Sequence, residues 1–202
     1  MSLFVAMCLF ALSMSISPGP VNFITLSTGV NHGFRSALPF VSGATIGFTL
    51  LLILTGVGVG AVLSRFPLVL HAMALAGTLF ICWIGWQIAA SDPDLILKKK
   101  EIPGFFKGFL LQWLNPKAWS ACLAGISAFN TAAVPSRLAV FTLVYFVICY
   151  LSIGSWAVAG DKLKAVLGKP DRLKVFNRVL GAGLICVAVY LLAINAGAAL
   201  PL

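Results

Sequence analysis

Charged residues are scarce in this sequence. Only 9% of its 202 residues are Asp, Glu, Lys or Arg, whereas 60% are apolar. None of the four charged types occurs before Arg35. A soluble domain of this length needs a much larger polar surface, so the composition excludes an ordinary soluble protein and predicts an integral membrane protein. The lack of a basic segment before the first apolar run also argues against a cleaved signal peptide.

Six segments are long and apolar enough to cross a bilayer, since a helix needs about 20 residues to span its hydrocarbon core. They predict an all-α integral membrane protein with six transmembrane helices, in a single transmembrane domain covering 1–202. We place the spans at about 3–28, 38–62, 70–90, 105–128, 137–158 and 177–197.

Basic residues are distributed unevenly between the predicted loops. The connections after spans 1, 3 and 5 hold eleven Lys and Arg residues, while those after spans 2 and 4 hold only Arg65 and Arg137. Loops rich in Lys and Arg stay in the cytoplasm, so both termini are expected on the opposite side. The net charge of +9 then reflects topology and contact with membrane lipids, and we predict no nucleic-acid partner.

The two halves of the chain have a similar layout. A polar linker at about 92–104 separates a first repeat, about 1–91, from a second, about 105–202. Pro18 and Pro116 are 98 residues apart, and a shift of 98 nearly superimposes span 2 on span 5. Because three spans cross the membrane an odd number of times, the sequence predicts two inverted three-helix repeats, with helices 1 and 4 broken at the prolines.

Both predicted breaks carry groups that suit a small ligand. Proline lacks an amide N–H, so the carbonyl four residues before it loses its helical donor. We expect such free carbonyls near Met14 and Ile16 at the first break and near Gln112 at the second. Freed backbone groups in a membrane indicate a cavity or a packed partner. We predict a substrate site near the midplane. Its candidate residues are Ser17, Pro18, Gly19, Pro20, Asn22, Gln112, Asn115, Pro116 and Lys117. The alternative is that the prolines only kink packed helices.

Lys117 is the most informative single residue, because an ammonium deep in a membrane costs several kcal/mol or more unless it has a partner. In a cavity it could bind a substrate carboxylate or carry a proton. The alternative is that Lys117 snorkels or pairs with a freed carbonyl and only fixes helix 4.

No Asp or Glu lies in the middle of a predicted span. Asp161, at the cytoplasmic end of span 5, is the one acid that could join Lys117 in proton coupling. The shortage of oxygen ligands argues against a metal or cation carrier, and we predict no metal and no cofactor. His32 and His71 are expected on opposite faces, so no catalytic constellation is predicted and the chain is not expected to be an enzyme.

Small residues are expected to serve packing. The five cysteines all lie in predicted spans without a C-x-x-C pair, which is typical of packing residues. The sequence GATIG (Gly43–Gly47) predicts a face on span 2 that lets a neighbouring helix approach closely.

The sequences SPGPVNF in span 1 and NPKAW in span 4, with three helices on either side of a charged linker, resemble the LysE/RhtB family of amino-acid exporters. The resemblance covers essentially the whole chain. It implies an inner-membrane exporter of amino acids or their derivatives, driven by the proton gradient and often dimeric, so a homodimer is among the expected partners. The positions that match the two motifs are Pro18, Gly19, Pro20, Asn115, Pro116 and Lys117.

The segments NHGFR and AGTLFICWIGWQIAAS are similar to the branch that exports cysteine and O-acetylserine, while other members of the family handle threonine, homoserine, leucine, lysine or arginine. The shortage of buried acids fits a neutral amino acid better than a dibasic one. We therefore expect export of small neutral amino acids by proton antiport with alternating access. An uncoupled channel or permease, or a non-transporting scaffold subunit, are the alternatives.

Overall fold

Every regular element that the structure describes is an α-helix. The structure is a computed structural model that describes residues 2–58, 65–91, 102–167 and 169–197, and within these ranges the chain forms eight helices and no strand. They are α1 (Leu3–Ile16), α2 (Pro20–His32), α3 (Phe34–Gly56), α4 (Pro67–Ala89), α5 (Phe105–Leu114), α6 (Pro116–Phe129), α7 (Pro135–Leu167) and α8 (Pro170–Gly197).

Proline marks where helices begin. Five of the eight helices, α2, α4, α6, α7 and α8, have Pro as their first residue. At that position the missing N–H has no helical acceptor to lose, and the fixed φ of the ring already suits a helix. The prolines near Gly19 and Asn115 therefore end one helix and start another instead of merely bending a continuous one.

Among the described residues, four helices are long and apolar enough to cross a membrane: Phe34–Gly56, His71–Ala89, Pro135–Leu167 and Pro170–Ala193. Helices α1 and α2 would form a fifth span as a bent pair, with an angle of 61° between them. The predicted break in the first span is confirmed. The predicted span at 105–128 is also broken, because α5 and α6 meet at Asn115.

Several predicted helix boundaries are wrong by some residues. Helix α7 continues to Leu167 instead of ending near 158, and α8 begins at Pro170 instead of 177. A criterion based on long apolar runs misses such ends, because Lys, Ala and Leu also favour helix outside the hydrocarbon. Helix α3 ends at Gly56, just before Gly58 adopts a positive φ of 103°. Of the other predicted segments, 59–62 and the linker residues 92–101 lie outside the described residues.

Each broken helix pair packs on an unbroken helix from the other half of the chain. Helices α1 and α2 lie against α7, and α5 and α6 lie against α3. Helix α4 packs on α8. The two breaks are consequently held by α3 and α7, which also contact each other.

Glycines allow the closest of these helix contacts. Gly43 lies against the backbone of Phe105, and Gly47 against that of Phe109, so the packing face predicted from GATIG is confirmed. Similar contacts join α2 with α7 and α4 with α8, through the glycine pairs Gly29 with Gly160 and Gly85 with Gly181. A side chain at these positions would enter space that the facing backbone occupies, as in small-residue contacts between membrane helices.

The outer surface is apolar. Leu143, Leu151 and Val179 are 66%, 65% and 68% exposed, and many other large apolar side chains on these helices are also exposed. Such a surface would favour aggregation in water but is the ordinary surface of a protein surrounded by lipid.

Described residues next to the connections after spans 1, 3 and 5 lie together at one end of the molecule. Asn31 of α2 bonds to Asn177 of α8, and Asn177 donates to the hydroxyl of Ser91, which follows α4. We call the end of the molecule where Asn31, Ser91 and Asn177 lie the basic end. The other end contains the contact between Gly56 and Leu138, close in sequence to Arg65 and Arg137.

We expect Gly43→Ala to lower the free energy of unfolding by about 1–3 kcal/mol, because the added methyl group must displace the backbone of α5. The measurement is the melting temperature of the purified protein in detergent. Gly154→Ala is the matched control, since a methyl group there meets no atom within 4 Å and should leave stability unchanged or raise it. Equal melting temperatures for the two variants would contradict the packing argument.

Candidate functional site

The first break is stabilised by the amide of Asn22. Helix α1 ends at Ile16, Ser17 is extended with ψ 143°, and α2 begins at Pro20. The Nδ2 atom of Asn22 donates to the carbonyl oxygens of Ser15 at 2.8 Å and Ser17 at 2.9 Å. One buried side chain thus takes over the role of two backbone donors.

The carbonyls that the prolines deprive of a helical donor have side-chain donors instead. The hydroxyl of Ser17 donates to the Met14 carbonyl at 3.0 Å. The indole N–H of Trp156, on α7, donates to the Ile16 carbonyl at 3.1 Å. Both carbonyls are those that the sequence predicts to be freed, and their satisfaction by side chains is what a break inside a membrane requires.

The second break uses the same kind of substitution at a slightly different carbonyl. Asn115 caps α6, with its Oδ1 accepting from the backbone N–H of Lys117 at 3.1 Å. The carbonyl of Gln112 accepts from Asn115 N at 3.3 Å. Because Lys117 N is used by the cap, Trp113 is the residue whose carbonyl needs another donor, and the indole N–H of Trp119 supplies it at 2.8 Å.

Lys117 connects the two breaks. Its Nζ donates to the carbonyl oxygen of Ser17 at 2.9 Å, to the Ser17 hydroxyl at 2.8 Å and to the Pro18 carbonyl at 3.2 Å. Gly19 leaves room for this side chain, since a Cβ at that position would lie 3.1 Å from Nζ and 3.3 Å from Cδ. The three acceptors are neutral oxygens, so they satisfy the ammonium without neutralising its charge.

A cavity of about 50 Å³ lies between the two breaks. Its polar lining includes Asn22, Gln112 and Asn115, which are only 4%, 4% and 3% exposed. Within the described part of the chain, Asn22 Oδ1 has no hydrogen-bond partner. The full lining is Met14, Ser15, Gly19, Pro20, Val21, Asn22, Phe48, Gln112, Asn115, Lys117, Ala118, Ala121, Tyr145, Cys149 and Ile153.

The polar end of the cavity suits an anion. Gly19 is the N-cap of α2 and supplies no side-chain cap, and the first residues of α2, Pro20 to Asn22, line the cavity. Backbone N–H groups at a helix start carry partial positive charge and attract negative groups. The ammonium of Lys117 lies beside the same turn, so both features favour a carboxylate there.

Comparison with known proteins identifies the family. The model of the LysE type translocator family matches residues 12–194.

The chain belongs to the LysE type translocator family.

Relatives support the same assignment. A cysteine/O-acetylserine efflux protein of Escherichia coli strain K12 is 30% identical over 187 residues, which cover 89% of this chain and 92% of that protein. A protein of the same name from Salmonella paratyphi A is 31% identical over 158 residues, covering 75% of this chain and 78% of its own length. No solved structure matches this chain. The family resemblance predicted from the two motifs is confirmed. This LysE translocator is a multi-pass membrane protein. It belongs to a family of transporters, not of enzymes.

In this translocator the predicted site residues come together, with one exception. Seven of them line the cavity or bond to a residue that does: Ser17, Gly19, Pro20, Asn22, Gln112, Asn115 and Lys117. Pro116 begins α6 beside them. The carbonyl of Pro18 accepts a hydrogen bond from Lys117. Asp161 lies beside Gly33, at the opposite end of α2. The 13 residues of α2 separate Asp161 from Lys117 by about 20 Å.

One wall of the cavity was not predicted from the sequence. It consists of Tyr145, Cys149 and Ile153, at intervals of four residues on α7, together with Phe48 of α3. In the sequence, α7 is apolar all round, so its cavity-facing stripe has the same composition as its lipid-facing stripes. A tyrosine in mid-span does not single out this face either, because Tyr150 lies on the same helix and does not line the cavity.

We expect Trp119→Phe to lower the free energy of unfolding by about 1–3 kcal/mol, because the ring is kept while the Trp113 carbonyl loses its donor. Thermal unfolding in detergent is the measurement, and Trp86→Phe is the control, since Trp86 is 68% exposed. If both variants melt at the wild-type temperature, side-chain capping does not stabilise the second break.

Proposed function

We propose that this LysE translocator exports small neutral amino acids or their derivatives from the cytoplasm across the inner membrane. The observation that carries the proposal is the Lys117 ammonium, held by neutral oxygens of the opposite break at the edge of a cavity. The name of the relatives, cysteine/O-acetylserine efflux protein, supports this class of substrate.

The substrate carboxylate is proposed to lie between Lys117 Nζ and the first N–H groups of α2. It would replace some of the Ser17 and Pro18 oxygens that Lys117 binds in this structure. Hydrogen bonds between ionised partners are stronger than those to neutral oxygens, which favours the exchange. Lys117 then has both roles that the sequence left open, fixing the breaks when the site is empty and binding the carboxylate when it is filled.

The substrate ammonium is proposed to bind Asn22 Oδ1. This oxygen is buried, belongs to a residue that lines the cavity and has no partner among the described residues, so a donor from the substrate would satisfy it. The lining residues include no Asp or Glu. A second positive charge, as in lysine or arginine, would therefore have no counterion, which is the reason for proposing a neutral side chain.

Transport is proposed to follow alternating access between two inverted three-helix repeats in a six-span topology, with both termini periplasmic. Support comes from the crossed packing, in which α1 and α2 lie on α7 while α5 and α6 lie on α3. A movement of one repeat against the other would change both breaks together. The cavity of about 50 Å³ holds a few water molecules, so it must widen before an amino acid can bind.

At the basic end, a hydrogen-bonded cluster is proposed to be the closed inner gate. We call Asn31, Ser91 and Asn177 the amide latch. Asn31 and Asn177 exchange two hydrogen bonds of 3.0 and 3.1 Å, Asn177 donates to Ser91 Oγ at 2.9 Å, and Asn177 is fully buried. The latch joins α2 and the end of α4, in the first half, to α8 in the second.

Proton antiport stays a prediction. Lys117 is the proposed site where proton and substrate compete. Because Asp161 lies about 20 Å away along α2, its proposed part is limited to proton transfer at the basic end.

We expect Lys117→Met to abolish export while the protein still inserts into the membrane, because the carboxylate loses its charged partner. The measurement is the uptake of labelled amino acids into inside-out vesicles, with tolerance of cells to a panel of amino acids and analogues as a second readout. Lys164→Met, which changes an exposed lysine at the basic end, is the control and should transport normally. Full export by Lys117→Met would overturn the site.

We expect a cross-link across the amide latch to stop transport. Asn31→Cys and Asn177→Cys would be combined in a background without the native cysteines and joined by a short, reducible reagent that reacts with two thiols. Transport should be lost on cross-linking and recover on reduction, while each single variant treated with the same reagent stays active. Undiminished transport by the cross-linked protein would show that the latch is not a gate.

A further inference from the structure

The end of the cavity away from Lys117 has a rigid aromatic wall. The rings of Phe48 and Tyr145 stack with centroids 4.4 Å apart, and the two residues are 4% and 2% exposed. Tyr145 also packs against Phe10 at 6.5 Å and Phe141 at 5.6 Å. We call Phe48 and Tyr145 the aromatic floor. Because its rings are held on several sides, the floor cannot retreat far from a ligand.

The polar and apolar ends of the cavity lie in a definite order along α7. Trp156 contacts the first break through the Ile16 carbonyl. Going from Trp156 towards the start of α7, Ile153 lies about one turn away and Tyr145 about two turns beyond Ile153. The distance from Ile153 to Tyr145 along the helix is about 12 Å. An amino acid whose carboxylate binds at Lys117 therefore directs its side chain towards the aromatic floor.

A polar group is buried at the floor. Ser15 is 9% exposed and lines the cavity. Its hydroxyl lies beside the side chains of Tyr145 and Cys149, yet it makes no bond of acceptable geometry with any described residue. A buried hydroxyl without a full partner is costly, so a ligand atom that completes its hydrogen bonding is favoured.

Resting on the function proposed above, we infer that Ser15 and the aromatic floor form the side-chain subsite of this translocator, and that they select a short neutral side chain carrying one oxygen or sulfur atom. The floor limits the length of the side chain. The Ser15 hydroxyl distinguishes a side chain that can hydrogen bond from an apolar one of equal size.

Discrimination by side-chain length and discrimination by hydrogen bonding differ in strength. An apolar wall rejects an additional methylene only weakly, whereas a buried group that requires a hydrogen bond rejects an isostere without one much more strongly. Small residues face the floor from α6, namely Ala118 and Ala121. These leave the space for a short side chain that the aromatic rings do not provide.

The test compares two substrates of nearly equal size, homoserine and norvaline, which differ by a hydroxyl in place of a methyl group. Initial rates would be measured in proteoliposomes that contain the full-length protein. We expect the wild type to prefer homoserine. Ser15→Ala should reduce the preference at least about fivefold, the equivalent of 1 kcal/mol for one unsatisfied group, and Ser15→Thr, which keeps the hydroxyl, should retain it.

Two further variants complete the design. Ser13→Ala is the matched control, because Ser13 is exposed and its hydroxyl donates to the Phe10 carbonyl within α1, so its preference should equal that of the wild type. Phe48→Ala tests the floor independently and should raise the rate for leucine relative to homoserine.

The possible failures are distinguishable. If the wild type and Ser13→Ala transport no amino acid at all, the proposed function is wrong and the subsite fails with it. If transport is normal but Ser15→Ala keeps the wild-type preference, Ser15 is not a selector and this inference alone is overturned. A leucine-to-homoserine rate ratio in Phe48→Ala equal to that of the wild type would likewise overturn the role of the floor.

Discussion

The structure of this translocator depends on one constraint, which is that a backbone polar group inside a membrane must have a partner. Prolines interrupt the helical bonding at two places, and at both places side chains replace the lost donors. Asn22, Ser17 and Trp156 donate at the first break, and Trp119 donates at the second, where Asn115 Oδ1 accepts from the backbone N–H of Lys117. Because these donors come from fixed positions on packed helices, the breaks are defined structures and not flexible joints.

Close packing of the helices makes this capping possible. The contacts of Gly29 with α7 and Gly43 with α5 bring the backbones of different halves together, and so place α7 within reach of the first break. Trp156, which donates to the Ile16 carbonyl, lies one turn of α7 from Gly160, where α2 and α7 approach closely at Gly29. The glycines therefore contribute to the site without touching the cavity.

Lys117 relates the stability of the breaks to the proposed chemistry. Its ammonium lies on α6 but bonds to the chain between α1 and α2, so the two breaks are joined by a single charged side chain. A ligand that competes for this ammonium changes the contact between the halves as well as filling the cavity. Binding and movement would then be coupled through the same three hydrogen bonds, and a substrate with greater affinity for one arrangement would shift the population towards it.

The sequence by itself determined that the chain is helical and membrane-embedded, that its helices break near Pro18 and at Pro116, and which polar residues lie at the breaks. These features follow from local chemistry, since the effects of proline, of charge and of long apolar runs act within a few residues. Only the tertiary structure decided that Tyr145, Cys149 and Phe48 face the cavity, that Trp156 caps Ile16, and that Asp161 is remote from Lys117. An apolar helix in a membrane has the same composition on its buried and its lipid-facing sides, so its rotation and its partners are set by contacts between residues that are far apart in the sequence, such as Phe48 with Tyr145 and Ile16 with Trp156.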